Sequence, residues 1–135
     1  MLTENDVVNY VCEYLLNNNY QIEQKLTTSQ TGVDIIAQKK NGQKIYVEAK
    51  GATSSKKSSS RFGKEFNSSQ VKSHVGVALV ATFKLKHQYQ NAEVVIALPG
   101  NETHKNLIFS MKEPLLKSGV SIFFVNESGT VEKYI

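Results

Sequence analysis

The chain has 135 residues, 40% of them hydrophobic and 21% charged, a size and balance that suit a single domain over residues 1–135. No apolar run approaches the roughly 18–20 residues that span a bilayer, and a lone cysteine, Cys12, excludes an internal disulfide and a cysteine-based zinc cluster. The net charge of +4 is unevenly spread: between Lys39 and Lys72 the many lysines and one arginine face only Glu48 and Glu65, a local basic field of the kind that meets a polyanion or simply solvates a surface.

The N-terminal residues MLTENDVVNY are acidic where a secretory leader would be basic, which points to a cytoplasmic protein without a membrane partner. Thr3 to Leu16 reads as a first helix, capped by Thr3 with Asp6 three residues on. Its apolar stripe is Val8, Val11, Cys12 and Leu15, with Val7 and Leu16 at the margins. At 100° per residue Glu4 falls on that stripe, one turn before Val8, whereas Asp6 and Glu13 fall opposite. Asn17 to Asn19 should end the helix, because asparagine tolerates the left-handed conformation.

Tyr20 to Leu26 alternates as a first strand, and Thr27 to Gly32 is a polar loop. A β-hairpin follows. Val33 to Gln38 forms one strand, Asn41-Gly42 a two-residue turn favoured because both residues tolerate positive φ, and Lys44 to Ala49 the second strand. Period-two alternation puts Glu48 and Lys50 on one face, with Asp34 within reach if the strands pair in register.

Residues 52–67 form a long connection rich in serine and lysine. Ser68 to Lys84 reads as a second helix with Val71, Val75, Ala78, Leu79 and Phe83 toward the core. Gln70 and His74, spaced i,i+4, share a neighbouring face, and His74 is read as a partly buried packing or hydrogen-bonding histidine rather than a catalytic one. Ala92 to Leu98 is continuously apolar, the pattern of a strand buried on both faces. Asn101 to Lys117 contains a helix that Pro114 should break or kink. Val120 to Val125 is a further buried strand, and a short strand closes the chain. Helix, three strands, helix, strand, helix and strand imply an α/β fold with a central mixed sheet and helices on both faces.

Asp34 and Glu48 are hard oxygen ligands suited to Mg²⁺ or Mn²⁺, which usually share their shell with substrate phosphate. With the backbone carbonyl of Ala49 they would leave positions open for water and a phosphodiester oxygen. A bound metal would lower the pKa of that water, and Lys50 would stabilise charge developing at phosphorus.

A helix carrying Glu4, then Val33-Asp34, then Glu48-Ala49-Lys50 resembles the PD-(D/E)XK nuclease superfamily, in particular its small stand-alone prokaryotic members. The resemblance covers about residues 3–98 and implies a restriction-endonuclease-like αβββαβ core. It implies a metal-dependent nuclease acting on nucleic acid, DNA above all, with Asp34, Glu48 and Lys50 as catalytic residues. By the same resemblance Glu4 is a further metal ligand and Gln70 a secondary site residue. Two departures stand out: Val33 replaces the proline of the motif, and Glu4 lies about one helical turn further from the first strand than its counterpart in Holliday-junction resolvases. Lys56, Lys57, Arg61 and Lys64 are the expected phosphate contacts. A non-catalytic or partner-dependent nucleic-acid-binding module is the alternative, and so small a domain suits a homodimer or a partner subunit.

Overall fold

A computed structural model describes residues 1–54, 58–60 and 62–135. Ten elements follow one another: α1 (Glu4–Asn17), β1 (Tyr20–Lys25), β2 (Ile35–Lys39), β3 (Lys44–Ala49), α2 (Ser68–Gln88), β4 (Glu93–Pro99), α3 (Glu102–Phe109), α4 (Lys112–Ser118), β5 (Val120–Val125) and β6 (Val131–Lys133). The strands form one mixed sheet in sequence order. β1, β2 and β3 pair antiparallel, β3, β4 and β5 parallel, and β6 returns antiparallel on β5. This is the α/β, restriction-endonuclease-like arrangement expected from the sequence, with αβββαβ as its first six elements.

Period-two alternation divides the apolar side chains between two cores. Ile35, Ala37, Ile45, Val47, Ala49, Val95, Ala97 and Phe123 meet Val7, Val8, Val11 and Leu15 of α1 on one face. Ile96, Leu98, Ile122 and Phe124 meet Val71, Val75 and Ala78 of α2 and Ile108 and Leu115 beyond it on the other. β4, inside both cores, is the fully buried strand that its continuous apolar run implies. Val7 is completely buried and Leu16 exposed, so the stripe of α1 is centred closer to Val7 than its spacing suggested.

Local signals set most boundaries. Thr3 Oγ1 accepts from the Asp6 amide (3.1 Å) while Asp6 Oδ2 accepts from the Thr3 amide (2.9 Å), a reciprocal capping box that makes Glu4 the first helical residue. Asn19 takes a φ of +68° just past α1. At the hairpin the expected turn is corrected. The Lys39 amide donates to the Gln43 carbonyl (2.9 Å) and the Gly42 amide to the Lys39 carbonyl (3.0 Å), so the loop is the three residues 40–42. Only Gly42 there has positive φ, +90°, and Asn41 uses its side chain instead, accepting from the Gln43 amide (2.9 Å).

Three further expectations are corrected. Phe83 is exposed, and the core position goes to Thr82, whose hydroxyl is satisfied by the Ala78 carbonyl at 2.8 Å. The break in the third helical region lies at Ser110-Met111, upstream of Pro114. A proline ring would clash with the carbonyl four residues before it, that of Ser110, and its missing N–H is harmless in the first turn of α4. The second helix runs on to Gln88 rather than stopping at Lys84.

Candidate active site

The site is built at one end of β3. Ile35 pairs with Val47 across the hairpin, which sets Asp34 opposite Glu48 one step further on. Asp34 Oδ2 accepts a hydrogen bond from the Ala49 amide at 2.8 Å. The next amide, of Lys50, donates to Ala97 on the other side of the strand (3.0 Å). Because the N–H and C=O of one strand residue point to the same side, the Ala49 carbonyl is turned toward Asp34, beyond the end of β2. Ile45, Val47 and Ala49 all enter the α1-side core, so Tyr46, Glu48 and Lys50 belong to the opposite face.

Gly51 brings α1 to the same place. A Cβ there would collide with the Glu4 amide nitrogen and lie 2.7 Å from the Thr3 carbonyl carbon. Its absence lets the start of α1 pass directly against the chain after β3, and the Ala52 amide fastens the contact by donating to Leu2 (2.7 Å). Glu4 thereby stands within electrostatic range of Asp34 and Lys50.

Each acid holds its proton more tightly than an ordinary carboxyl. Glu48 is pushed up to about 7, first by burial and then by the charge of Asp34, with Lys50 opposing and Glu4 adding. Burial raises Asp34 against the Ala49 hydrogen bond and Lys50. Burial and Asp34 raise Glu4, again against Lys50. Lys50 makes no ion pair with these acids among the described residues, so it offsets their repulsion only partly.

Asp34, Glu48 and Lys50 are therefore brought together as the hairpin predicted, with Glu4 nearby. The three carboxylates do not form a closed cage. Among the described residues no group of three or more His, Cys, Asp or Glu side chains lies close enough to share a metal ion. The donor set at the strand end is two carboxylates, whose charge Lys50 compensates only partly, and a neutral backbone carbonyl; all are hard oxygens, and the set fits a small divalent cation that keeps part of its shell as water.

Beside these acids opens a pocket of about 220 Å³ whose wall includes Glu4, Thr28, Lys50, Thr53, Phe66 and His74, but neither Asp34 nor Glu48. His74, read from sequence as a partly buried packing or hydrogen-bonding histidine, packs on Phe66 and lines this pocket. The available signal was its position one turn after Gln70 on the same helix face. Gln70 itself is spent on structure: its Oε1 accepts from the Asn67 amide (2.8 Å) and its amide donates to Asn67 Oδ1 (2.9 Å), the capping box of α2. Lys64 is exposed. Lys56, Lys57 and Arg61 lie outside the described residues.

Comparison with known proteins agrees with this geometry. The Mrr_cat family, described as a restriction endonuclease, matches residues 1–98, the span that runs from Glu4 through the hairpin to the end of β4. The chain belongs to the Mrr_cat family. This membership places it among the PD-(D/E)XK-type, restriction-endonuclease-like proteins. Two solved structures share the fold. One is an XisH family protein from Nostoc punctiforme, 22% identical with a TM-score of 0.58, matched over 98% of each chain. The other is a fdxN element excision controlling factor protein from Anabaena variabilis, 24% identical with a TM-score of 0.58, matched over 96% of this chain and 99% of that one. No protein of curated function matches the chain. Among the described residues no helix is long and apolar enough to cross a membrane.

Proposed function

We propose that this Mrr_cat member is a metal-dependent nuclease that hydrolyses phosphodiester bonds in DNA. The observation that carries the reading is the hydrogen bond from the Ala49 amide to Asp34, which gathers Asp34, Glu48 and the Ala49 carbonyl at one strand end beside Lys50. Asp34, Glu48 and that carbonyl would hold Mg²⁺ or Mn²⁺, with Glu4 as an additional acidic ligand. The ion would supply a water of lowered pKa and positive charge at phosphorus. Lys50 stabilises charge on the phosphate oxygens. Lys56, Lys57, Arg61 and Lys64 grip the backbone without reading sequence. Gln70, already engaged at the helix cap, serves the site by fixing the start of α2.

The test is a cleavage panel of single-stranded, duplex and branched DNA, and of RNA, in Mg²⁺ or Mn²⁺, with Asp34→Asn as control. Metal-dependent cleavage by the native chain and none by the variant is expected. Absence of cleavage on every substrate would sink the hydrolase reading.

A second reading has its own support. Among the described residues the carboxylates do not close into a three-ligand group, and one fold neighbour is described as an excision controlling factor. In this reading the chain binds nucleic acid and acts only with a second copy or a partner subunit. Salt-sensitive DNA binding without carboxylate-dependent Mn²⁺ binding by calorimetry would favour it.

A further inference from the structure

His74 occupies the second turn of α2, half-buried, in the wall of the pocket that also holds Glu4 and Lys50. Its ring is fixed edge-to-face by Phe66, centroids 4.5 Å apart and planes at 76°. Among the described residues neither ring nitrogen makes a hydrogen bond. His104 behaves differently. That residue is fully buried and spends Nδ1 on Asn101 Oδ1 at 2.7 Å, as a histidine with a packing role does. His74 is instead oriented by an aromatic contact, in the wall of a pocket it shares with Lys50.

The surrounding charge decides which form the ring takes. Burial and the neighbouring Lys50 ammonium both oppose a second proton on His74. At neutral pH the ring is an uncharged imidazole with one N–H donor and one acceptor. A directional donor beside the Lys50 ammonium, with polar walls at Thr28 and Thr53 and room for a few heavy groups, suits a phosphate oxygen better than an apolar ligand.

We propose that His74 is a substrate-binding residue that donates a hydrogen bond from its imidazole to an oxygen of the same phosphodiester that Lys50 attracts. The proposal deepens the nuclease reading and rests on it for the identity of the substrate. Lys50 supplies charge without direction, and His74 supplies direction without charge. Together they would fix which face of the phosphate is turned toward Asp34 and Glu48.

Two measurements on the full chain test this. In the first, the imidazole resonances of the native protein are followed by NMR in EDTA while a short DNA oligonucleotide is added. The His74 ring should shift saturably, whereas the exposed His87 should not. An unmoved His74 ring at saturating DNA overturns the proposal. In the second, cleavage by His74→Ala and His74→Gln is compared with the native chain. Loss of one hydrogen bond to a charged group should lower kcat/KM about 10- to 100-fold in the alanine variant. The glutamine variant, which restores a donor, should recover part of that loss at equal melting temperature. Native rates in His74→Ala would also overturn the proposal. A shifting His74 ring in a protein that cleaves nothing would keep the contact and remove the hydrolase reading, so the two failures are separable.

Discussion

Asp34, standing just before β2, is fastened to the last residue of β3 by a 2.8 Å hydrogen bond from the Ala49 amide to its Oδ2. One acid thus closes the open end of the hairpin and, in the proposed function, offers its other oxygen to a metal ion. Substitution separates them. Asn keeps an acceptor for Ala49 and removes the charge, so Asp34→Asn should fold at least as stably as the native chain and yet lose metal-dependent cleavage. Asp34→Ala should lose cleavage and, in addition, about 1 kcal/mol of stability from the orphaned amide. Denaturant unfolding and cleavage assays on the pair check this, and native-like cleavage by Asp34→Asn would remove Asp34 from the metal site.

Glu48 gives the metal-free protein an unusual pH dependence. Its pKa rises from 4.5 to about 7 on folding, so between those values the folded state binds the proton more tightly than the unfolded state. The resulting stability is fully present below about 4.5 and is lost as pH rises through 7. Asp34 and Glu4, both also raised, act in the same direction. The melting temperature in EDTA should therefore fall between pH 5 and pH 8, and Mn²⁺ should restore it at pH 8 by taking the place of the proton. Glu48→Gln should flatten the profile, gaining on the order of 1 kcal/mol at pH 8 after allowance for solvent screening, while abolishing cleavage. A native profile that is flat in EDTA would contradict the crowding of the three acids.

Two glycines should respond in opposite directions. At Gly51 a Cβ meets the backbone of Thr3 and Glu4, which cannot yield without moving the start of α1. Gly51→Ala should cost about 1–3 kcal/mol and reduce cleavage by displacing Glu4 and Lys50 together. At Gly76, inside α2, a Cβ meets nothing within 4 Å. Gly76→Ala should stabilise the chain by about 0.5–1 kcal/mol through helix propensity alone. Thermal melts of the two variants side by side provide the check.

The strands and helices that form the cores were legible in the sequence because their alternation and spacing are local properties. The run AEVVIALP becomes the doubly buried β4, and Asp34, Glu48 and Lys50 could be placed on one strand end by counting residues. The departures have physical causes. Asn41-Gly42 suggested a two-residue turn, but the Asn41 side chain bonds the Gln43 amide and leaves the positive φ to Gly42 alone. Phe83 suits a core by size, yet the geometry of α2 favours Thr82, whose hydroxyl can be hidden against its own helix. What local pattern could not reveal is set by distant chain segments: the crossing of α1 behind Gly51, and the placing of His74 beside Lys50.

The start of α2 illustrates the same division for Gln70, and substitution should show on which side it falls. Gln70→Ala removes the bond to the Asn67 amide and should cost roughly 0.5–1 kcal/mol, the usual worth of a cap contact. Gln70→Glu keeps the reciprocal cap and should be as stable as the native chain. If capping is its whole contribution, cleavage at a temperature well below melting should be nearly unchanged in both variants. A loss of more than about tenfold in Gln70→Glu, with melting unaltered, would instead place this side chain against the substrate.

The basic connection between β3 and α2 should behave as an electrostatic device that the fold does not need. Its two ends are pinned to each other, since the Phe66 amide donates to the Ala52 carbonyl at 2.8 Å. Changes between them should therefore leave both cores untouched. Replacing Lys56, Lys57, Arg61 and Lys64 together by Gln should leave the melting temperature within about a degree of native. DNA affinity should fall, and the slope of log K against log salt should shrink by about 0.9 for each duplex phosphate that the variant no longer neutralises. In the proposed function these charges grip the backbone equally before and during the reaction, so KM should rise with kcat unchanged at saturating DNA. An unchanged salt slope would show that the loop charges are merely solvated and would assign the substrate grip to the other lysines flanking the hairpin.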